Sequence, residues 1–161
     1  MNAYTVLQDH HKVLKGLVKK VSDTPAVAPE RQDYLDDLLV ELDIHFRIED
    51  DLYYPALSAA SSLIAIAHAE HRQVTDQLSV LLRTPPSART YDDEWRSFAT
   101  VLEAHADEEE RDMIPVPPSV TITDDELVEL GKEMASRIEQ LRESPDHKLR
   151  VKRRTSMLRS L

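Results

Sequence analysis

The sequence predicts an all-α fold, an up-down-up-down antiparallel four-helix bundle with an additional C-terminal fifth helix. Three observations carry this reading. The 161 residues include only two glycines and are rich in Leu, Ala, Glu, Asp and Arg, a composition that favours helix. Proline clusters cut the chain into helix-length pieces. Within each piece, apolar residues recur at alternating steps of three and four, the spacing of one buried helix face.

The first helix carries Leu7, His11, Leu14, Val18 and Val21 on one stripe, and the segment from Asp23 to Pro29 ends it. The second carries Leu38, Leu42, His45, Glu49 and Leu52; its turn to the third is placed at Ser58 to Ser62, a weaker signal without proline. The third carries Ala67, His71, Val74, Leu78 and Leu81, and Thr84 to Thr90 separates it from the fourth. The fourth carries Phe98, Leu102, His105, Glu109 and Asp112 and stops at Pro115-Val-Pro-Pro118. Short connections make sequential helices antiparallel neighbours. Thr123 with Glu126 reads as a capping box that opens the fifth helix, whose stripe is Leu127, Leu130, Met134, Ile138 and Leu141, with Pro145 beyond its end. Residues 1–118 are thus read as the bundle, 119–145 as a helix packed on its outside, and 146–161 as a basic tail.

The net charge of −10 is unevenly spread. From His147 onward the chain has Lys148, Arg150, Lys152, Arg153, Arg154 and Arg159 and no acid, so all 30 acidic residues precede it. An acidic body argues against nucleic-acid binding. The tail fits a helix lying on that body or a disordered end; Leu149, Val151, Met157 and Leu158 also fit a membrane- or partner-facing helix. His147 reads as solvated. No window is apolar enough for a membrane span, and Met1 to Leu7 lacks the layout of a signal peptide, so a cytoplasmic location is expected. Absence of cysteine excludes thiolate catalysis, disulfides and iron–sulfur ligation; any metal must sit on imidazole and carboxylate, which suits iron, manganese, zinc or copper.

The most informative pattern is a repeat of 60 residues. His45, Glu49 and Pro55 recur as His105, Glu109 and Pro115, and His11 recurs as His71. Residues i and i+4 share a helix face, so each His-x-x-x-Glu pair points into the core. Buried carboxylates are costly unless paired or bound to a cation. The pattern therefore points to two metal ions, with His68, His71 and His105 on one side, His11 and His45 on the other, and Glu49 and Glu109 bridging. His11 is preferred to His10 because His10 matches Glu70, read as a surface residue. Tyr53, four residues after Glu49, is a candidate site wall or ligand, and Tyr54 a lesser one. Asp50, Asp51, Glu108 and Glu110 flank the ligands as solvated faces, with one or two as candidates for orienting imidazoles. Trp95 and Phe98 read as core. The ferritin-like alternative needs Glu three residues before His, and no His here has it.

These residues resemble the hemerythrin-like proteins, the HHE cation-binding family. The likeness rests on His11, His45-Phe-Arg-Ile-Glu49 running to Pro55, His68-Ala-Glu-His71, and His105-Ala-Asp-Glu-Glu109 running to Pro115. It covers about Val6 to Pro115 and looks most like the mycobacterial branch. The resemblance implies a non-heme di-iron centre, oxo- or hydroxo-bridged, that meets dioxygen, hydrogen peroxide or nitric oxide as its small-molecule ligand. Hemerythrin carriers space the third-helix pair as His-x-x-x-His and end on Asp five residues after the last His. Here the pair is His68-x-x-His71 and the carboxylate is Glu109, which points away from reversible oxygen carriage. The expected function is catalase-like peroxide decomposition in oxidative or nitrosative defence. The alternatives are a dioxygen- or nitric oxide-binding or sensing protein without turnover, and an iron-binding structural bundle.

Overall fold

The computed structural model describes residues 1–160; Leu161, the last residue of the tail, lies outside the described residues. The described chain is helical throughout, with no strand: α1 (Ala3–Asp23), α2 (Pro29–Ile48), a π-helical turn (Glu49–Tyr53), the single turn α3 (Tyr54–Ala56), α4 (Ser61–Arg83), α5 (Tyr91–Asp112), α6 (Asp124–Glu143) and α7 (Pro145–Ser160). No described helix is long and apolar enough to cross a membrane.

Local chemistry sets the ends. Asn2 accepts from the Thr5 amide and starts α1, while Pro29 occupies the first turn of α2, where its missing N–H leaves no bond unmade. Thr123 and Glu126 form the reciprocal capping box expected at α6. The proline segments fall between helices as expected, and the alanine–serine stretch near Ser58 lies between α3 and α4.

Contacts between neighbouring helices run in opposite order along the chain. His10 meets His45 and Val21 meets Arg31, so α1 and α2 are antiparallel. Glu70 meets His105 and Gln77 meets Glu94, which gives the same for α4 and α5. His11 meets Glu110 and Ser22 meets Trp95, which aligns α1 against α5. Helix α6 packs on α1 and α2, and α7 on α2, α4 and α6. Gly131 permits the close approach of α6 to the start of α1: a Cβ there would lie 2.6 Å from the backbone carbonyl carbon of Asn2.

The apolar core is split in two. One cluster gathers Leu7, Ile48, Tyr53, Met113 and Met134, among others. The second gathers Leu14, Leu42, Val74, Leu102 and Phe98, with Trp95 buried among them. Along α1, α4 and α5 the chain passes from one cluster to the other at its histidines. A buried polar layer therefore lies between two dry layers.

The tail departs from the looser of its sequence readings. It is the helix α7, and its His147, expected to be solvated, is fully buried with Nε2 2.7 Å from Asp43 Oδ2. Docking against a partly buried carboxylate removed it from water, a tertiary effect that its sequence neighbours do not announce.

Candidate metal centre

The polar layer holds six side chains from five elements: His11 on α1, His45 on α2, Glu49 on the π turn, His71 on α4, and His105 and Glu109 on α5, all buried. They form two groups, His11–His45–Glu49–Glu109 and Glu49–His71–His105, and in each the offered donor atoms lie within 4.8 Å of one another. Glu49 belongs to both.

Each imidazole turns Nε2 inward. His11 Nε2 is 3.0 Å from Glu109 Oε1, His45 Nε2 is 3.2 Å from Glu49 Oε2, and His71 and His105 Nε2 lie 3.0 and 3.5 Å from Glu49 Oε1. Each Nδ1 turns outward to a support. His11 Nδ1 meets Glu110 Oε2 at 2.9 Å and His71 Nδ1 faces Asp50 Oδ1 at 3.3 Å. His105 Nδ1 meets Glu70 Oε1 at 3.1 Å, and His45 Nδ1 meets His10 Nδ1 at 2.9 Å. The remaining nitrogen of His10 is 3.4 Å from Glu41 Oε2. Supports of this kind fix the tautomer and aim the inner nitrogen.

The electrostatics show a site short of positive charge. Burial disfavours a charged His105, yet hydrogen bonds to Glu49 and Glu70 push it up to about 11. Burial likewise opposes charge on His71, but Asp50 and Glu49 raise it to about 9. His45, wholly buried, falls to about 3 because desolvation outweighs Glu49. Desolvation and repulsion by Glu49 raise Glu109; burial works against the charge of Glu49 too, but the neighbouring imidazoles and Glu109 hold it low. Two carboxylates side by side collect protons on whatever will carry them.

The donor set fits a cation on a separate ground. His45 Nε2 and Glu49 Oε2 face each other inside the protein, and neither has a hydrogen-bond partner. Buried polar atoms left unpaired are rare and costly. With His45 donating Nδ1–H to His10, the assignment consistent with the contacts, its bare Nε2 would face a carboxylate lone pair. A metal ion between nitrogen and oxygen donors removes that conflict, and with no thiolate present the set suits iron, manganese or zinc.

The π turn decides which tyrosine joins the site. The Tyr54 amide bonds to the Glu49 carbonyl, five residues back. Pro55 has no N–H and its ring crowds the carbonyl four residues earlier, which disfavours an uninterrupted α ladder here. One extra residue per turn advances the register, so Tyr54 and not Tyr53 comes to lie with Glu49. Tyr54 donates to Glu109 Oε2 at 2.7 Å and lies 3.2 Å from His71 Nε2, whereas Tyr53 donates to the Met113 carbonyl at 2.6 Å. The expected order of the two tyrosines is thus reversed. Burial and the nearby carboxylates push both phenols up, so both stay protonated.

Of the expected donors, His68 stands apart. It is partly exposed, with Nδ1 3.4 Å from Asp50 Oδ1, in an outer group with Asp50 and His71. His10, set aside as the counterpart of a surface residue, is buried. The repeat held the missing signal: His10 and Glu70 are both polar, sit 60 apart, and support His45 and His105, themselves 60 apart. Asp50 and Glu110, also 60 apart, support His71 and His11. Trp95 and Phe98 are core, as expected.

A cleft of about 490 Å3 reaches this layer from outside, with His68, His71, Phe46 and Asp50 in its wall. Phe46 stacks on His71 at 3.9 Å between ring centres.

Comparison with known proteins agrees with this site. Residues 2–116 match the model of the hemerythrin HHE cation binding domain. The chain is 62% identical, over 100% of both chains, to the uncharacterized protein Rv2633c of Mycobacterium tuberculosis and to the uncharacterized protein Mb2666c of Mycobacterium bovis. It superposes with a TM-score of 0.92 on the crystal structure of an Rv2633c homolog from Mycobacterium kansasii, a hemerythrin HHE cation binding domain-containing protein, at 68% identity over 100% of this chain and 99% of that one. The chain belongs to the hemerythrin HHE cation-binding family.

Proposed function

We propose that the protein holds two iron ions on an up-down-up-down four-helix frame and uses them to decompose hydrogen peroxide in the cytoplasm, as part of oxidative or nitrosative defence. The observation that carries this reading is the pair of buried donor groups joined by Glu49. His11, His45 and Glu109 would hold one ion with Glu49, and His71 and His105 the other; His68 serves the outer group.

Two adjacent redox ions held there would supply the paired electron changes that peroxide reduction to water and peroxide oxidation to dioxygen each require. The chain's own residues do the rest. Glu49 ties the two groups together. Glu70, His10, Asp50 and Glu110 hold the imidazoles in one orientation. Tyr54 keeps a proton 2.7 Å from a Glu109 oxygen, a position from which it can steady negative charge on that carboxylate. The apolar layers keep bulk water from the centre, and the cleft beside His71 admits a small neutral molecule.

Protein purified from iron-supplemented cells should contain two irons per chain and release oxygen steadily on adding peroxide. His105→Ala and Glu49→Ala should abolish that release. Turnover persisting in iron-free protein would overturn the reading. A reversible spectral change with dioxygen or nitric oxide and no turnover would make this a gas-binding protein. A large loss of melting temperature on chelation, without either chemistry, would make the metals structural.

A further inference from the structure

Away from the metal layer, a groove of about 1030 Å3 opens between α1, α2 and α7. Its floor is apolar, with Val13 and Leu17 of α1, Leu39 and Val40 of α2, and Val151 of α7. Its rim carries Lys12 of α1 and Lys148, Lys152 and Arg159 of α7. Among the described residues none of these four cations makes a side-chain hydrogen bond or close ion pair, although Lys148 favours the charge of Asp37 across the groove from longer range.

Gly16 lies in this groove, inside α1. Glycine is among the poorest helix formers, and its φ here is an ordinary negative one. At Gly131 a close backbone explains the residue; at Gly16 a Cβ would meet nothing within 4 Å. Neither packing within the chain nor backbone geometry calls for glycine at this position. What its bare backbone does is leave the apolar floor open where a side chain would fill it.

We propose that this groove binds a single-chain anionic amphiphile, with the alkyl chain over Gly16 and a carboxylate or phosphate head among the cations of α7. Both halves of the groove then find a complement: the floor gains apolar cover and the unpaired cations gain an anion. A polyanion fits less well. It would leave the floor uncovered and would bring many charges past Asp36 and Asp37 on the α2 wall, where a single head need meet only the cations of α7. The remaining acid on that wall, Glu41, is engaged by Arg142 and His10. The volume lies within the range of sites for molecules of this size. None of the six buried donors lines the groove, so the inference stands or falls apart from the peroxide chemistry.

The test is calorimetric titration of the full-length, iron-loaded protein with dodecanoate below its micellar concentration. Butanoate, inorganic phosphate and anionic phospholipid vesicles serve as comparison probes. We expect one dodecanoate per chain, with butanoate and phosphate weaker by at least about tenfold. Gly16→Leu should weaken dodecanoate by at least about tenfold while the melting temperature holds or rises, since leucine favours helix and finds open space. Lys148→Glu with Lys152→Glu should weaken it comparably, and Lys132→Glu, outside the groove, should not. The proposal is overturned by no dodecanoate binding, by affinity that Gly16→Leu leaves unchanged, by phosphate binding as tightly as dodecanoate, or by binding to vesicles alone.

Discussion

In the α1–α2 half, His45 rests on His10 and His10 on Glu41; in the α4–α5 half, 60 residues on, His105 rests directly on Glu70. The donors repeat, but the supports differ in kind. An imidazole relays the contact to a carboxylate in the first half, whereas a carboxylate makes it alone in the second. Proton affinity differs with them: desolvation, with no carboxylate behind the ring, takes His45 down to about 3, whereas Glu49 and Glu70 together outweigh desolvation at His105 and push it up to about 11. The second half also opens onto the cleft beside His68 and Asp50, while His45 is sealed. A duplicated ligand pattern need not make two equal sites, because the residues behind the ligands set their charge and access.

The comparison breaks most completely at the one residue both groups share. Glu49→Ala should empty both, lowering metal affinity by more than the roughly 10- to 100-fold expected of an outer support. Metal analysis after gel filtration reads this, and retention of two ions per chain would contradict it. Removing one support at a time comes next. His10→Ala and Glu70→Ala should each weaken one step of metal binding by roughly 10- to 100-fold and leave the other step nearly intact. His10→Glu, which copies the second half into the first, should restore most of the loss if the imidazole's task is to accept from His45.

Proton linkage sharpens the difference. His71, near 9, and His105, near 11, are protonated at neutral pH in the metal-free protein, so a cation must displace their protons. His45, near 3, is already neutral. Affinity at the His71–His105 group should therefore climb by up to about tenfold per displaced proton for each pH unit below 9. At the other group His11, raised by Glu109 and Glu49 against its desolvation, and Glu109, near 7, release protons as well, so the two slopes should part most clearly above pH 7. Calorimetry at pH 6, 7 and 8 in buffers of different ionisation heat counts those protons. Equal counts for the two steps would remove the distinction. The smallest effect is expected at the tyrosines. Tyr54→Phe removes a bond to a buried carboxylate and should cost about 1.5–3 kcal/mol with a change in the visible spectrum, whereas Tyr53→Phe should cost about 1 kcal/mol and leave the spectrum alone.

Much of the fold and centre was legible before the structure. Helix ends were marked by proline and by the Thr123–Glu126 box, which act locally. Buried His45, Glu49, His105 and Glu109 were marked by a spacing that only a shared helix face explains. What stayed hidden depended on other elements. His10 looked dispensable because its contact is with α2, 35 residues away in the chain. His68 shares a face with His71 on an ideal helix, yet it lies far enough round α4 to reach Asp50 and the cleft instead. His147 was buried by the docking of α7 on Asp43.

An α-helical step from Glu49 points to Tyr53, and the chain does not take that step. Two phenols stand next to each other, and a single step of backbone winding selects between them. Replacing Pro55 would restore the missing amide and relieve its crowding, and an α-wound chain would turn Tyr53 toward the carboxylates and carry Tyr54 away. Pro55 is itself exposed and offers no donor atom. The winding of five residues thus decides which phenol the buried centre meets.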